Sequence, residues 1–165
     1  LNNFMNFGTP HLDRVDGFTM DDFILVSAGY GAGGSFAQNL SAASRVEAKR
    51  GVTVFGLDKH KDPVKLAYLD TCGFTKKDEV GMDSDVQAVM DKYGENFSAL
   101  TVIVSDSARC GSYDLSTLFS ETDLKQWKNI GFRTPYVGLI DKNGNVREFF
   151  GEAETVVAVK SVGGS

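Results

Sequence analysis

The sequence predicts one α/β domain in which helices connect the strands of a central mixed sheet. Three short apolar runs bounded by turn residues are typical of buried strands: Phe23 to Ala28, Val52 to Leu57 and Leu100 to Val104. Segments with helical spacing separate these runs, and connections through helices imply parallel neighbouring strands. Towards the C-terminus, the turn residues Asp141 to Gly144 join two further strands in a hairpin, which adds an antiparallel edge.

In the first half of the chain, residues 1–22 form an N-terminal arm with a weak strand near Leu12 to Val15. The first buried strand leads into a glycine-rich loop, Gly29 to Gly34. Ser35 is a suitable N-cap for a helix that runs to about Arg50, since apolar residues follow the 3.6-residue period and Gly51 ends it.

The second half is predicted to continue to residue 162, so that residues 23–162 form the domain and 163–165 a tail. Pro63 suits the first turn of a helix. The predicted elements are helices from Pro63 to Asp70, Asp83 to Tyr93, Leu115 to Trp127 and Glu152 to Val162, with hairpin strands from Tyr136 to Ile140 and Val146 to Phe150.

Composition excludes some classes of function. The chain has 165 residues, of which 42% are hydrophobic, and a net charge of −5. We expect no nucleic-acid partner, because such proteins need a basic face. No apolar run approaches the roughly 20 residues of a transmembrane helix. We therefore expect a soluble protein of unknown compartment; because the sequence begins at Leu1, an organellar or exported protein whose targeting segment has been removed stays an alternative.

The most specific pattern is Thr134-Pro135 before the apolar run that begins at Tyr136. A proline cannot donate a ladder hydrogen bond and therefore belongs at the first residue of a strand. With Gly131 before it and the hairpin after it, this segment resembles the thioredoxin-like fold, in particular the branch that contains peroxiredoxins and thiol oxidoreductases. The resemblance covers residues 12–162 and implies a three-layer sandwich in which Pro135 is a cis-proline.

The resemblance also implies where a redox site would lie. The Cys-x-x-Cys motif of the family aligns with Gly33-Gly34-Ser35-Phe36, so that Gly33 and Phe36 replace the two cysteines. Thiol–disulfide exchange requires a thiolate, which neither glycine nor serine supplies. The resemblance therefore implies a degenerate active site with no catalytic residue, whose groove is formed by Gly33, Ser35, Thr134 and Pro135.

A nucleotide-binding alternative rests on the same loop. Gly29, Gly31 and Gly34 satisfy G-x-G-x-x-G between a strand and a predicted helix, and Asp58 ends the next strand. This resembles a Rossmann domain, in which the glycines let the backbone approach the pyrophosphate of NAD or NADP and the acid binds a ribose.

Two cysteines, Cys72 and Cys110, leave a disulfide or an atypical thiol redox function open. His11 and His60 are far apart in sequence and indicate no metal site. Our preferred hypothesis is a non-catalytic protein without a cofactor that binds a protein partner or serves as a structural subunit of a larger assembly. Phe4 and Phe7 are the expected interface residues in the arm.

Overall fold

The computed structural model describes residues 11–16, 23–42, 44–71, 96–109, 124–141 and 145–162. Within these residues the chain forms two packed β-sheets, and the helical element described from end to end is the 3-10 turn Trp127–Asn129. The strands are β1 His11–Asp16, β2 Phe23–Ala28, β3 Ser35–Asn39, β4 Arg45–Ala48, β5 Gly51–Leu57, β6 Val64–Leu69, β7 Ala99–Ser105, β8 Tyr136–Asp141, β9 Val146–Phe150 and β10 Val156–Val162.

Each sheet has five strands. Sheet I has the order β1-β10-β2-β3-β4, and sheet II has the order β6-β5-β7-β8-β9. Neighbouring strands are antiparallel, except that β1 pairs in parallel with β10. Since Leu12 lies opposite Ala158 in that pair, part of the predicted N-terminal arm is an integral strand of sheet I.

The predicted thioredoxin-like α/β sandwich is wrong. The helix expected from Ser35 to Arg50 is the antiparallel pair β3 and β4, the helix expected from Pro63 is strand β6, and the last predicted helix contains β10. The predicted helix from Asp83 to Tyr93 and most of that from Leu115 to Trp127 lie outside the described residues. The strands themselves are confirmed: β1, β2, β5, β7 and the hairpin β8–β9 all lie where the sequence predicts strands.

The main core lies between the two sheets. Phe23, Leu25 and Val157 of sheet I pack with Phe55 and Leu139 of sheet II, and all five side chains are fully buried. Burying side chains of this size from both sheets is the principal source of stability in such a sandwich.

A second core lies on the other face of sheet II. There Val54 and Tyr136 pack beneath the segment that carries Leu124, Trp127 and Ile130. The rings of Trp127 and Tyr136 meet edge to face with their centroids 5.1 Å apart. Sheet II is therefore covered on both faces, which explains why every residue of β5 and β7 is buried.

One polar bridge ties the two sheets together at the start of β8. The fully buried Ser27 hydroxyl of β2 accepts a hydrogen bond from Tyr136 N–H at 2.8 Å and donates one to the Val104 carbonyl. The pairing of β7 with β8 extends as far as Ile103 opposite Val137. Ser27 thus joins the two backbone groups at the next position of the ladder, where the strands diverge.

Candidate functional site

Four connecting segments converge at the end of the sandwich where β2 and β7 finish. They are the β2–β3 connection, the chain after β7, the chain before β8 and the β9–β10 connection. Backbone hydrogen bonds join them, so this end is a single hydrogen-bonded unit. The bonds run from Gly29 N–H to Thr155 O, from Asp106 N–H to Ala28 O and from Glu154 N–H to Arg133 O, each 2.9 Å long.

Gly29 lies where these segments approach most closely. A Cβ at this position would stand 2.5 Å from the Arg133 carbonyl oxygen and 2.9 Å from the Glu154 nitrogen. Both neighbours are backbone atoms, which cannot give way as a flexible side chain can. The position therefore requires glycine because of close backbone approach.

Three residues of this unit have left-handed backbone. Asp106 has a φ of 65°, Arg133 a φ of 58° and Glu154 a φ of 63°. Non-glycine residues adopt this conformation at a cost, and such residues cluster at functional sites because surrounding structure must hold them there. In the described chain the fourth example, His60 with a φ of 57°, lies in the β5–β6 connection.

The side chains at this end form an arginine–aromatic cluster, defined by Tyr30, Phe132, Arg133 and Glu154. The Arg133 guanidinium carbon lies 3.9 Å from the ring centroid of Tyr30 and 4.5 Å from that of Phe132. Its Nη1 lies 2.8 Å from Glu154 Oε2. Tyr30 is 50% and Phe132 is 53% exposed, so two cation–π contacts hold aromatic rings at the surface instead of in a core.

The backbone beneath the cluster is fixed by polar contacts. Arg133 N–H donates to Ser107 Oγ at 2.8 Å, and Gly131 N–H donates to Thr134 Oγ1 at 3.1 Å. Arg109 Nε donates to the Ile130 carbonyl at 2.6 Å. The segment that presents Phe132 and Arg133 is therefore held from both flanks.

A second ion pair lies at the same end of sheet II. Arg50 donates to Asp70 through Nη2 at 2.6 Å and through Nε at 3.2 Å. The hydrogen bond and the charge of Asp70 raise the pKa of Arg50 above its usual value. Since the Asp70 side chain is only 6% exposed, this pair is structural: it compensates a carboxylate that the fold has desolvated.

The glycine-rich loop of the nucleotide-binding alternative lies in this unit, but it does not lead into a helix. Gly29 to Gly34 connect two antiparallel strands, because residues 35–39 form β3. Ser35 is not a helix N-cap; its buried Oγ accepts a hydrogen bond from Ala28 N–H at 2.8 Å across the β2–β3 pair. Without a helix, the loop lacks the N-terminal dipole and N–H groups that the dinucleotide motif uses.

Asp58, the ribose ligand of that alternative, lies at the opposite end of the sandwich. Asn39 pairs with Phe23 at that end, and its Nδ2 donates to the Asp58 carbonyl at 2.8 Å. The Asp58 carboxylate accepts from Ser98 N–H at 3.0 Å and from Ser98 Oγ at 3.1 Å. The six residues of β2 span about 20 Å, so Asp58 is far from Gly29 to Gly34.

The residues of the groove expected from the thioredoxin-like resemblance do not form one site. The described chain contains no cis peptide bond, so the Thr134–Pro135 bond is trans and the expected cis-proline is wrong. Pro135 nevertheless lies close to the cluster in sequence and precedes β8 as predicted. Gly33 is exposed, and nothing lies within 4 Å of where its Cβ would stand, while Phe36 lies in β3 beneath Arg45 at 4.5 Å.

Several predicted residues lie outside the described part of the chain, namely Phe4, Phe7, Cys72 and Cys110. In the part that is described, no group of three or more metal-binding side chains comes together. None of its helical structure is long and apolar enough to cross a membrane.

Sequence reasoning missed the arginine–aromatic cluster. In the sequence, Tyr30 is simply the single aromatic residue of the glycine-rich loop, and Phe132-Arg133 belong to the segment before Pro135. Glu154 lies in the helix predicted from Glu152. No periodicity connects three segments so distant in sequence, so only the strand pairing could bring them together.

Comparisons with known proteins identify no family. No protein-family model matches the chain, and no curated protein matches it. The function must therefore be argued from the site itself.

Proposed function

We propose that the chain is a non-catalytic protein-interaction or structural subunit whose partner docks on the arginine–aromatic cluster. The observation that carries this proposal is the half-exposed state of Tyr30 and Phe132, whose rings both contact Arg133. Tyrosine, phenylalanine and arginine are enriched in protein interfaces, and tyrosine and arginine in the few residues that dominate binding energy.

The backbone beneath the cluster supports the same proposal. Ordering side chains and loops at an interface costs free energy when a partner binds. Here Arg133 is held before binding by its stacked rings, by Ser107 at its N–H and by Glu154 at its carbonyl. A surface prepared in this way loses less conformational entropy on association.

Site-specific photo-crosslinking in the source cells tests the proposal. A benzophenone amino acid replaces Phe132, or, as matched controls, the exposed apolar residues Leu40 and Val64. These controls are 43% and 45% exposed and lie at the opposite end of the sandwich. We expect a discrete crosslinked protein from position 132, reduced when Tyr30→Ser is added. Equal crosslinking from positions 40 and 64, or none from 132, would contradict the proposal.

A further inference from the structure

We propose that the arginine–aromatic cluster recognises a carboxylate carried beside an apolar side chain on the partner protein. This inference rests on the proposed function and names the chemistry that the same surface would bind. It begins with the donors of Arg133. A guanidinium has five N–H donors, and in the described structure one of them is used, from Nη1 to Glu154 Oε2. The side chain is 32% exposed, so unused donors are within reach of a partner.

The stacking of Arg133 restricts which part of the guanidinium a partner can meet. The Tyr30 and Phe132 ring centroids lie 3.9 Å and 4.5 Å from the guanidinium carbon, so the rings cover this carbon and a partner's polar groups would meet the N–H groups around it. The edge of a guanidinium matches a carboxylate, which accepts two parallel hydrogen bonds. The fixed backbone and the rings hold that edge in one orientation.

Tyr30 and Phe132 supply the second half of the recognised pattern. Both rings are half exposed directly beside the charged group. An apolar side chain next to the carboxylate would cover their faces and exclude water from the ion pair. Excluding water strengthens the electrostatic contact, which is weak when solvated.

The charges around the cluster favour a single carboxylate over a polyanion. Glu154 already pairs with Arg133, and Asp106 lies next to Gly29 in the same unit. The whole chain carries a net charge of −5. A nucleic acid or a highly acidic tail would be repelled, whereas one carboxylate can share Arg133 with Glu154.

The probe is a pair of peptides, acetyl-Phe-Glu-Phe-amide and acetyl-Phe-Gln-Phe-amide, which differ in the carboxylate alone. Each is titrated into the full ¹⁵N-labelled chain while the Nε–Hε signal of Arg133 is followed by NMR. We expect a saturable shift with the Glu peptide and an affinity about tenfold lower with the Gln peptide.

Variants assign the effect to the cluster. Arg133→Gln should abolish the preference for the Glu peptide, and Arg133→Lys should weaken it because lysine lacks the planar fork. Arg45→Gln is the matched control, since Arg45 also stacks on a ring and pairs with a glutamate, but on strand β4. Tyr30→Ser should weaken both peptides.

The inference is overturned if the two peptides bind equally, if neither shifts the Arg133 signal, or if Arg133→Gln keeps the preference. Any of these results combined with a specific crosslink from position 132 would leave the proposed function standing and remove only the carboxylate chemistry. Absence of the crosslink as well would remove both.

Discussion

Replacing Ser27 with alanine should destabilise the sandwich more than its size suggests. The hydroxyl is fully buried and serves as acceptor for Tyr136 N–H at 2.8 Å and as donor to Val104 O. Alanine leaves one backbone N–H and one backbone carbonyl buried without these contacts. Each unsatisfied group costs about 1–3 kcal/mol.

Some of that cost is recoverable, because the two strands can close towards each other or admit a water. We therefore expect Ser27→Ala to lower the free energy of unfolding by about 2–4 kcal/mol, a large part of the total stability of a small domain. Urea unfolding followed by the fluorescence of Trp127, the one tryptophan of the chain, measures this change.

Ser44→Ala is the matched control, because Ser44 is exposed and its backbone N–H makes the hydrogen bond to Asp62. It should change the free energy of unfolding by less than about 0.5 kcal/mol. A Ser27→Ala variant as stable as the wild type would refute the reasoning, and so would unchanged hydrogen exchange at the Tyr136 amide.

Three further predictions concern the same framework, each read from urea unfolding. Gly29→Ala should cost about 1–3 kcal/mol because its Cβ would lie 2.5 Å from a backbone oxygen, whereas Gly34→Ala, with its nearest atom 3.9 Å away, should be almost neutral; equal effects would contradict the close approach. Burial and then Glu148 raise the pKa of Tyr136, so the free energy of unfolding is unaffected below about pH 10 and falls above it as Tyr136 ionises in the unfolded chain. Tyr136→Phe should make this decrease in the free energy of unfolding smaller by about 1.4 kcal/mol per pH unit, and identical pH profiles of the two proteins would count against the prediction. Arg50→Gln should cost about 1–2 kcal/mol because its partner carboxylate is nearly buried, and Arg45→Gln, in an exposed pair, less than about 0.5 kcal/mol; the reverse order would show that burial does not decide the strength of these pairs.

The positions of the central strands could be predicted, but their direction could not. Val52 to Leu57 and Leu100 to Val104 are continuous apolar runs, which usually indicate parallel strands covered by helices on both faces. Here the strands are antiparallel, and the two covers are sheet I and the segment around Trp127. The sequence pattern reports burial on both faces and does not distinguish which elements provide it.

The helix predicted from Ser35 failed for a different reason. Its apolar residues fit the helical period, but Ser35, Ala37 and Asn39 are buried while Phe36 and Gln38 are half-buried, which is the alternation of a strand. In so short a segment the two periods are hard to separate. Long-range pairing with β2 decides the outcome.

The segment of the last predicted helix contains residues that favour a strand. Val156, Val157, Val159 and Val162 are β-branched residues, which favour strands, and this preference should have outweighed the acidic residues near the start of the segment. The candidate site could be predicted only in part. The sequence points to the glycine-rich loop and the segment before Pro135, but the contact of Tyr30 with Arg133 depends on long-range strand pairing that no local pattern encodes.

The most direct test of the account is a nuclear Overhauser measurement on the labelled chain, because the proposed binding surface exists only if the β2–β3 hairpin places Tyr30 on Arg133. We predict contacts between the Tyr30 ring protons and the Arg133 side chain, with upfield shifts of the Arg133 protons that Tyr30→Ser removes. Absence of these contacts, together with helical chemical shifts over residues 35–39, would contradict both the sandwich and the surface built on it.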